Sequence, residues 1–275
     1  MTTEMLAPTS CVVRNTAGHR GRTESVTAGP VMRHLHYGRI ILDAGDPPIR
    51  FETGDRETGL VCLRGTATVA TGDTRTTLAR YDAIYVPRDA AIEVSAGVDG
   101  CDLAEISAAV EGRHPVQVVR FAEVQQDPTL HVDAGGPTTK RDLNVLIGKN
   151  VQAGRIMAGV TFSQPGNWTS WPPHEHAAML EEAYLYIAMP EPAFGIQLVY
   201  TDAREPEVAT IVREGDIVLM PKGYHPNVAA PGGSINFLWM MAAHTEDTDR
   251  QYGVVNVHPD FAATPSGLDA AKAKK

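Results

Sequence analysis

The stretch Asp216-Ile-Val-Leu-Met-Pro-Lys-Gly-Tyr-His225-Pro-Asn-Val228 matches Asp82-Ala-Ile-Tyr-Val-Pro-Arg-Asp-Ala-Ala91-Ile-Glu-Val94 without a gap. The shared frame is an Asp, an apolar strand-like run, a Pro, a basic residue and a closing Val. Ala91 stands where His225 stands. The preceding strand also recurs: Glu182-Ala-Tyr-Leu-Tyr-Ile-Ala-Met189 lies opposite Thr58-Gly-Leu-Val-Cys-Leu-Arg-Gly65, with Thr58 opposite Glu182. Such self-similarity marks two copies of one folding unit. Short strands divided by Gly, Pro and Asp turns suit a sandwich or barrel. The expectation is an all-β chain of two homologous barrels, of which only the second keeps a set of metal-ligating side chains.

That set begins in Trp171-Pro-Pro-His174-Glu-His176-Ala-Ala-Met-Leu-Glu181-Glu182-Ala-Tyr184-Leu-Tyr186. Side chains at i and i+2 of a strand share a face. His174 and His176 therefore project together, and Glu182, Tyr184 and Tyr186 share a face of the next strand. Glu181, Ala183 and Leu185 take the other face. His225 sits just past the Pro221-Lys-Gly223 turn, from which it can reach back into the barrel. Three imidazoles and one carboxylate suit a divalent ion, zinc or manganese, with room for an exchangeable ligand. His34-x-His36 repeats the spacing, but no carboxylate follows it, and these read as strand histidines without a metal.

The chain has 275 residues and a net charge of −9, with 25 Gly and 19 Pro spread along it. The acidic balance argues against a nucleic-acid or anionic-membrane surface. Cys11, Cys62 and Cys101 have no metal or redox spacing and suggest no disulfide framework. The N-terminus lacks a basic segment followed by an apolar one, and no apolar run is long enough to span a bilayer. A cytoplasmic protein is expected.

Residues 1–30 read as an extended arm with room for one edge strand, 31–110 as a barrel without metal, and 111–137 as a connector that is loop-like from His131. Residues 138–245 read as the metal-binding barrel and 246–275 as a tail, a short helix or frayed from Ala263 on. Lys140 and Arg141 are adjacent cations near the start of the second barrel, and Arg141 could hold a carboxylate bidentately. Trp168 and Trp171, next to Pro172-Pro173, would make a rigid apolar wall.

Several motifs together resemble one family: Pro172-Pro-His-Glu-His176, Leu180-Glu-Glu-Ala-Tyr184, Gln197-Leu-Val-Tyr-Thr-Asp202, Glu214-Gly-Asp-Ile-Val-Leu-Met-Pro-Lys-Gly-Tyr-His-Pro226 and Met240-Met-Ala242. It comprises the 5-deoxy-glucuronate isomerases of inositol catabolism and the 4-deoxy-L-threo-5-hexosulose-uronate ketol-isomerases of pectin catabolism. The resemblance spans roughly residues 37–245. It implies a bicupin, two tandem jelly-roll β-barrel domains. It further implies metal ligation by His174, His176, His225 and a carboxylate, taken as Glu182 because its register also turns Tyr184 inward, with Glu181 the choice if the register shifts by one.

The implied activity is aldose–ketose isomerisation of a deoxy-uronate, with a small sugar acid as partner and a homo-oligomeric assembly. By proximity, Glu181, Tyr184 and Tyr200 are candidates for moving the proton. Lys222 or Arg141 would hold the substrate carboxylate, and Tyr200 and Tyr224 would line the substrate site. A cupin dioxygenase and a non-catalytic sugar-acid-binding bicupin are the alternatives from other classes, because fold alone does not choose among them.

Overall fold

A computed structural model describes residues 6–264, and the strand pairs in it are antiparallel. In the first half, two long strands, Arg56–Thr71 and Ala91–Ala109, form the spine of one sheet. His36–Leu42 and Gly21–Val26 extend it on one side, and Ala83–Val86 and Gln117–Val119 on the other. In the second half, Leu180–Tyr186 lies between Ile217–Met220 and Phe237–Ala243, and the sheet continues through Ile156–Ser163 and Arg141–Ile147 to His131–Ala134. A smaller sheet, from Trp168–Thr169 through Asn227–Ala229 and Gly195–Val199 to Val208–Val212, belongs to the same half.

The two halves carry the same polar lock. Asp216 accepts from the Arg213 and Asn15 amides and from Arg14 Nη1 at 2.6 Å, while Arg14 also donates to Ile211 O and Thr210 Oγ1. Asp82, its counterpart in the repeat, accepts from the Ala79 and Phe121 amides and from Arg120 Nη1 at 2.8 Å. Arg120 donates in turn to Thr77 O and Thr76 Oγ1. The Asp of each repeat thus ties a turn to an arginine from a distant segment.

A second correspondence links the halves. Glu57 is fully buried and accepts from the amides of Gly154, Arg155 and Ile156 at 2.8, 2.6 and 2.8 Å, and from the Tyr85 hydroxyl. Glu181, opposite Glu57 in the repeat, accepts from the amides of Arg33, His34 and Leu35 at 2.6, 2.7 and 2.6 Å. Each carboxylate compensates its burial with bonds to backbone donors from the other part of the chain. One apolar core joins Tyr37, Tyr85 and Ile106 with Ile147, Ile156 and Leu185, and a second lies within the first half around Ile40, Leu60 and Leu103. Cys11, Cys62 and Cys101 are free and buried.

The N-terminal arm carries the expected edge strand: Val12–Val13 pairs with Ile217–Met220 in the second half, where Asp216 holds Arg14 and Asn15. Two other expectations need correction. The stretch from His131 is not loop-like: His131–Ala134 is an edge strand on Arg141–Ile147, the turn falling at the Gly-Gly-Pro that follows. The tail also contributes structure, since Asn256–Val257 pairs with His174–Glu175. The expected helix or frayed end lies, from residue 265 on, outside the described residues. Among the described residues no helix is long and apolar enough to cross a membrane.

Candidate active site

Strand register decides which glutamate faces the site. Glu182 pairs with Met220 on one side and Met241 on the other, and Tyr184 with Val218 and Trp239. Glu182 and Tyr184 project into a cavity with about 560 Å³ of empty space, part of it open to solvent. Glu181 projects the other way, onto the amides of residues 33–35, which removes it from the candidate catalytic groups.

His176 and His225 converge on Glu182. Each Nε2 lies 3.0 Å from Glu182 Oε2, and all three residues are buried. The ring of His174 lies 5.0 Å from that of His225 and 6.4 Å from that of His176. The turn before His225 depends on Gly223, whose φ is +92° and whose absent Cβ would sit 2.9 Å from the Tyr200 carbonyl. A side chain there would be strained and crowded.

The outer nitrogens fix the tautomers. His174 Nδ1 donates to Pro172 O, His176 Nδ1 to Leu180 O and His225 Nδ1 to Gly223 O, at 2.9, 3.2 and 2.9 Å. A carbonyl only accepts, so each Nδ1 carries the proton and each Nε2 is left for the cavity side; His176 Nε2 there shares a hydrogen bond with the Glu182 carboxylate. His225 Nε2, although close to Glu182, lacks the geometry of a hydrogen bond and is an unpartnered buried atom. Acceptor nitrogens packed against a carboxylate require a shared cation or a proton. Backbone carbonyls orienting the far side of each imidazole are the supports that metal-ligating histidines need. His176, Glu182 and His225, whose ligand atoms lie within 4.8 Å of one another, therefore fit a divalent transition ion, with the His174 ring beside them.

The electrostatics follow the same logic. Burial and the neighbouring His225 push His174 down to about 3, so it stays neutral. Burial also disfavours a charged His176, but the Glu182 carboxylate outweighs it and raises its proton affinity. Burial opposes ionisation of Glu182, yet the contacts with His176 and His225 hold it down at about 2. Tyr184 is raised well above the ordinary phenol range by burial and by Glu182. It remains a phenol, with its hydroxyl 2.8 Å from Ser170 Oγ.

Among the remaining candidates only Arg141 lines the cavity. It is 3 % exposed and donates to the carbonyls of Thr139 and Trp171. Lys222 is exposed on the outer side, where its charge acts on Glu207. Tyr200 and Tyr224 also lie outside the cavity lining, packed with each other and with His258. Their backbones bridge each other as an isolated antiparallel pair. Trp168 and Trp171 pack together outside the cavity, Trp171 against Phe261. Thr161, Ser170, Trp239 and Tyr252 line the site without having been expected there. Strand alternation through Phe237, Trp239 and Met241 carried a signal for Trp239. Tyr252 carried none, because a loop outside the sheets delivers it.

These features define a class: an all-β, cupin-like protein with a histidine–glutamate cluster and a buried arginine in one cavity. Residues 12–262 match the KduI/IolB family. The 5-deoxy-glucuronate isomerase of Geobacillus thermodenitrificans is 33 % identical over 211 residues, 70 % of this chain and 75 % of that protein. The enzyme of the same name from Bacillus subtilis strain 168 is 28 % identical over 172 residues, 60 % of this chain and 61 % of the other. An IolB-like protein from Salmonella typhimurium LT2 superposes with a TM-score of 0.77 at 23 % identity, covering 92 % of this chain and 98 % of its own. Bacillus subtilis oxalate decarboxylase shares the fold more distantly, with a TM-score of 0.63 at 13 % identity over 84 % of this chain and 76 % of its own. The chain belongs to the KduI/IolB family and is an isomerase.

Proposed function

We propose that this isomerase converts 5-deoxy-glucuronate to 2-deoxy-5-keto-gluconate in myo-inositol catabolism, using a divalent metal held by His174, His176, Glu182 and His225. We read its two halves as tandem cupin barrels, with the 138–245 half carrying the site. The observation that carries the proposal is the convergence of carbonyl-locked imidazoles on Glu182 in the cavity that also holds Arg141. The relatives' name supplies the substrate.

The bound ion would supply Lewis acidity toward the carbonyl and adjacent hydroxyl of the sugar. The residues of the chain supply the rest. Arg141, desolvated and fixed by two backbone carbonyls, meets the substrate carboxylate. Tyr184 and Ser170 offer hydroxyl hydrogen bonds to a reacting oxygen. Glu182 is the only carboxylate among the described lining residues, so no second one stands beside it to act as a base. Hydrogen transfer between adjacent carbons as a hydride shift requires no such base, and this lining favours that route.

The test is NMR of the purified protein with 5-deoxy-glucuronate and, separately, with 4-deoxy-L-threo-5-hexosulose-uronate. Ketose formation from the first at the higher kcat/KM is expected. Preference for the second would move the proposal to the pectin-catabolic reaction, and turnover of neither would overturn it.

A further inference from the structure

Two polar atoms in the cavity wall have no assigned role. Thr161 Oγ1 and Trp239 Nε1 are buried, and neither has a hydrogen-bond partner among the described residues. Thr161 is 1 % exposed and Trp239 3 %, and both side chains line the cavity. Buried polar groups are nearly always paired, so two orphans on one wall call for a physical reason.

Register locates them relative to the rest of the site. Glu182 is level with Met241, and Tyr184 with Trp239, which is level in turn with Gly159. Thr161 pairs with Phe237 and Leu143, and Ser163 with Arg141. Trp239 and Thr161 thus occupy successive levels of one sheet face between Glu182 and Arg141. They are diagonal neighbours on adjacent strands. A ligand with one end at the His/Glu cluster and a carboxylate at Arg141 passes over both.

The indole is held in place. It stacks on Tyr252, with ring centroids 4.9 Å apart and planes 16° apart. It also lies against Gly159, where a Cβ would come within 2.2 Å of Trp239 Cζ2. Gly159 therefore gives the indole its room, and Tyr252 covers it. An indole N–H only donates, whereas a threonine hydroxyl donates and accepts. Together they complement one alcohol, which accepts from Trp239 and donates to, or accepts from, Thr161.

We propose that Thr161 and Trp239 form a hydroxyl-reading subsite that selects a polyhydroxylated chain between the metal cluster and Arg141. This rests on the reading of the cavity as a sugar-acid site. It accounts for two cavity-wall polar atoms that no other described residue bonds, since a substrate hydroxyl can bond both. A site built to bond an alcohol rejects chains that lack it.

The experiment compares wild type with Thr161→Val, which removes the hydroxyl at nearly constant volume, and with Trp239→Phe, which removes the N–H and keeps a ring over Gly159. Each variant should raise KM for 5-deoxy-glucuronate by about tenfold, the loss of one hydrogen bond to the ligand. The kcat should stay within about twofold, and metal per chain should not change. Without substrate, Thr161→Val should melt at or above the wild-type temperature, because an unsatisfied group has been removed. A lowered melting temperature with unchanged KM would overturn the subsite and make Thr161 a structural residue.

Should wild type fail to turn over 5-deoxy-glucuronate, D-glucuronate serves as probe in a thermal-shift titration. A ligand-induced rise that is smaller in Thr161→Val sustains the subsite although the reaction assignment has failed. An equal rise in both proteins, or none in wild type, overturns it.

Discussion

Replacing Glu181 with Ala tests the division of labour between the two adjacent glutamates. The carboxylate accepts three backbone N–H bonds, at 2.6–2.7 Å, from residues 33–35. Its loss strands those donors, and each fully buried unsatisfied N–H costs about 1–3 kcal/mol. Only the Leu35 bond is fully buried, and water can reach the Arg33 and His34 amides in part. The sum therefore falls toward the low end, about 3–5 kcal/mol, typical of breaking a buried charged interaction. For a chain of this size that corresponds to a fall in Tm of roughly 5–9 °C. Glu181→Gln, which keeps one acceptor oxygen but loses the charge, should cost about half as much. The assay is urea and thermal unfolding, with turnover and metal content measured on the folded fraction. Both variants should keep metal and most of the activity per folded molecule, because Glu181 faces away from the cavity. Wild-type stability together with abolished turnover would refute this reasoning and return Glu181 to the site.

Other perturbations read other parts of the account. Glu57→Ala should destabilise about as much as Glu181→Ala, since it strands three amides and the Tyr85 hydroxyl; unfolding midpoints check this. His225→Ala should lose metal and activity together while the fold persists, as followed by elemental analysis and circular dichroism. Arg141→Lys should raise KM about tenfold or more, because an ammonium cannot reproduce the planar fork, and steady-state kinetics would show it. Product formed in D2O should carry no solvent deuterium at the receiving carbon if hydrogen moves as hydride; full incorporation would restore a base.

Chelated protein should also lose stability on acidification. His174, neutral to about 3 when folded, takes a proton near 6.5 when unfolded, so stability falls from about pH 6.5 down to 3. Glu182, held at about 2, adds stability present above its unfolded value near 4.5 and lost as pH falls toward 2. The raised affinity of His176 acts in the opposite sense, helping below its unfolded value and fading as pH rises through its folded one. Urea midpoints at pH 4 and 7 should therefore differ less in His174→Gln than in the parent.

The repeat was legible because it preserves polar anchors as well as apolar runs. Asp82 and Asp216 recur because each must tie a turn to an arginine. Alternation put Glu182 and Tyr184 on one strand face and Glu181 on the other, and the sheet keeps that register, with Glu182 level with Met241 and Tyr184 with Trp239. Proximity in sequence misled elsewhere. Lys222, Tyr200 and Tyr224 flank His225 in the chain or pair beside it, but Lys222 is exposed and both tyrosine rings pack on His258 outside the cavity lining. Sequence also hid what distant segments supply. Val12–Val13 crosses to the second half, and Tyr252 arrives from a loop with no periodicity to announce it. The unsatisfied state of Thr161 and Trp239 depends on what surrounds them in three dimensions, and no spacing rule encodes that.

The most direct measurement is turnover of 5-deoxy-glucuronate by NMR, made on protein of known metal content before chelation, after it, and after reloading with zinc or manganese. About one ion per chain is expected, with ketose from the loaded forms only and loss of both ion and product in Glu182→Gln. Equal turnover by the chelated protein, or a Glu182→Gln variant that keeps its metal and its rate, would contradict that expectation.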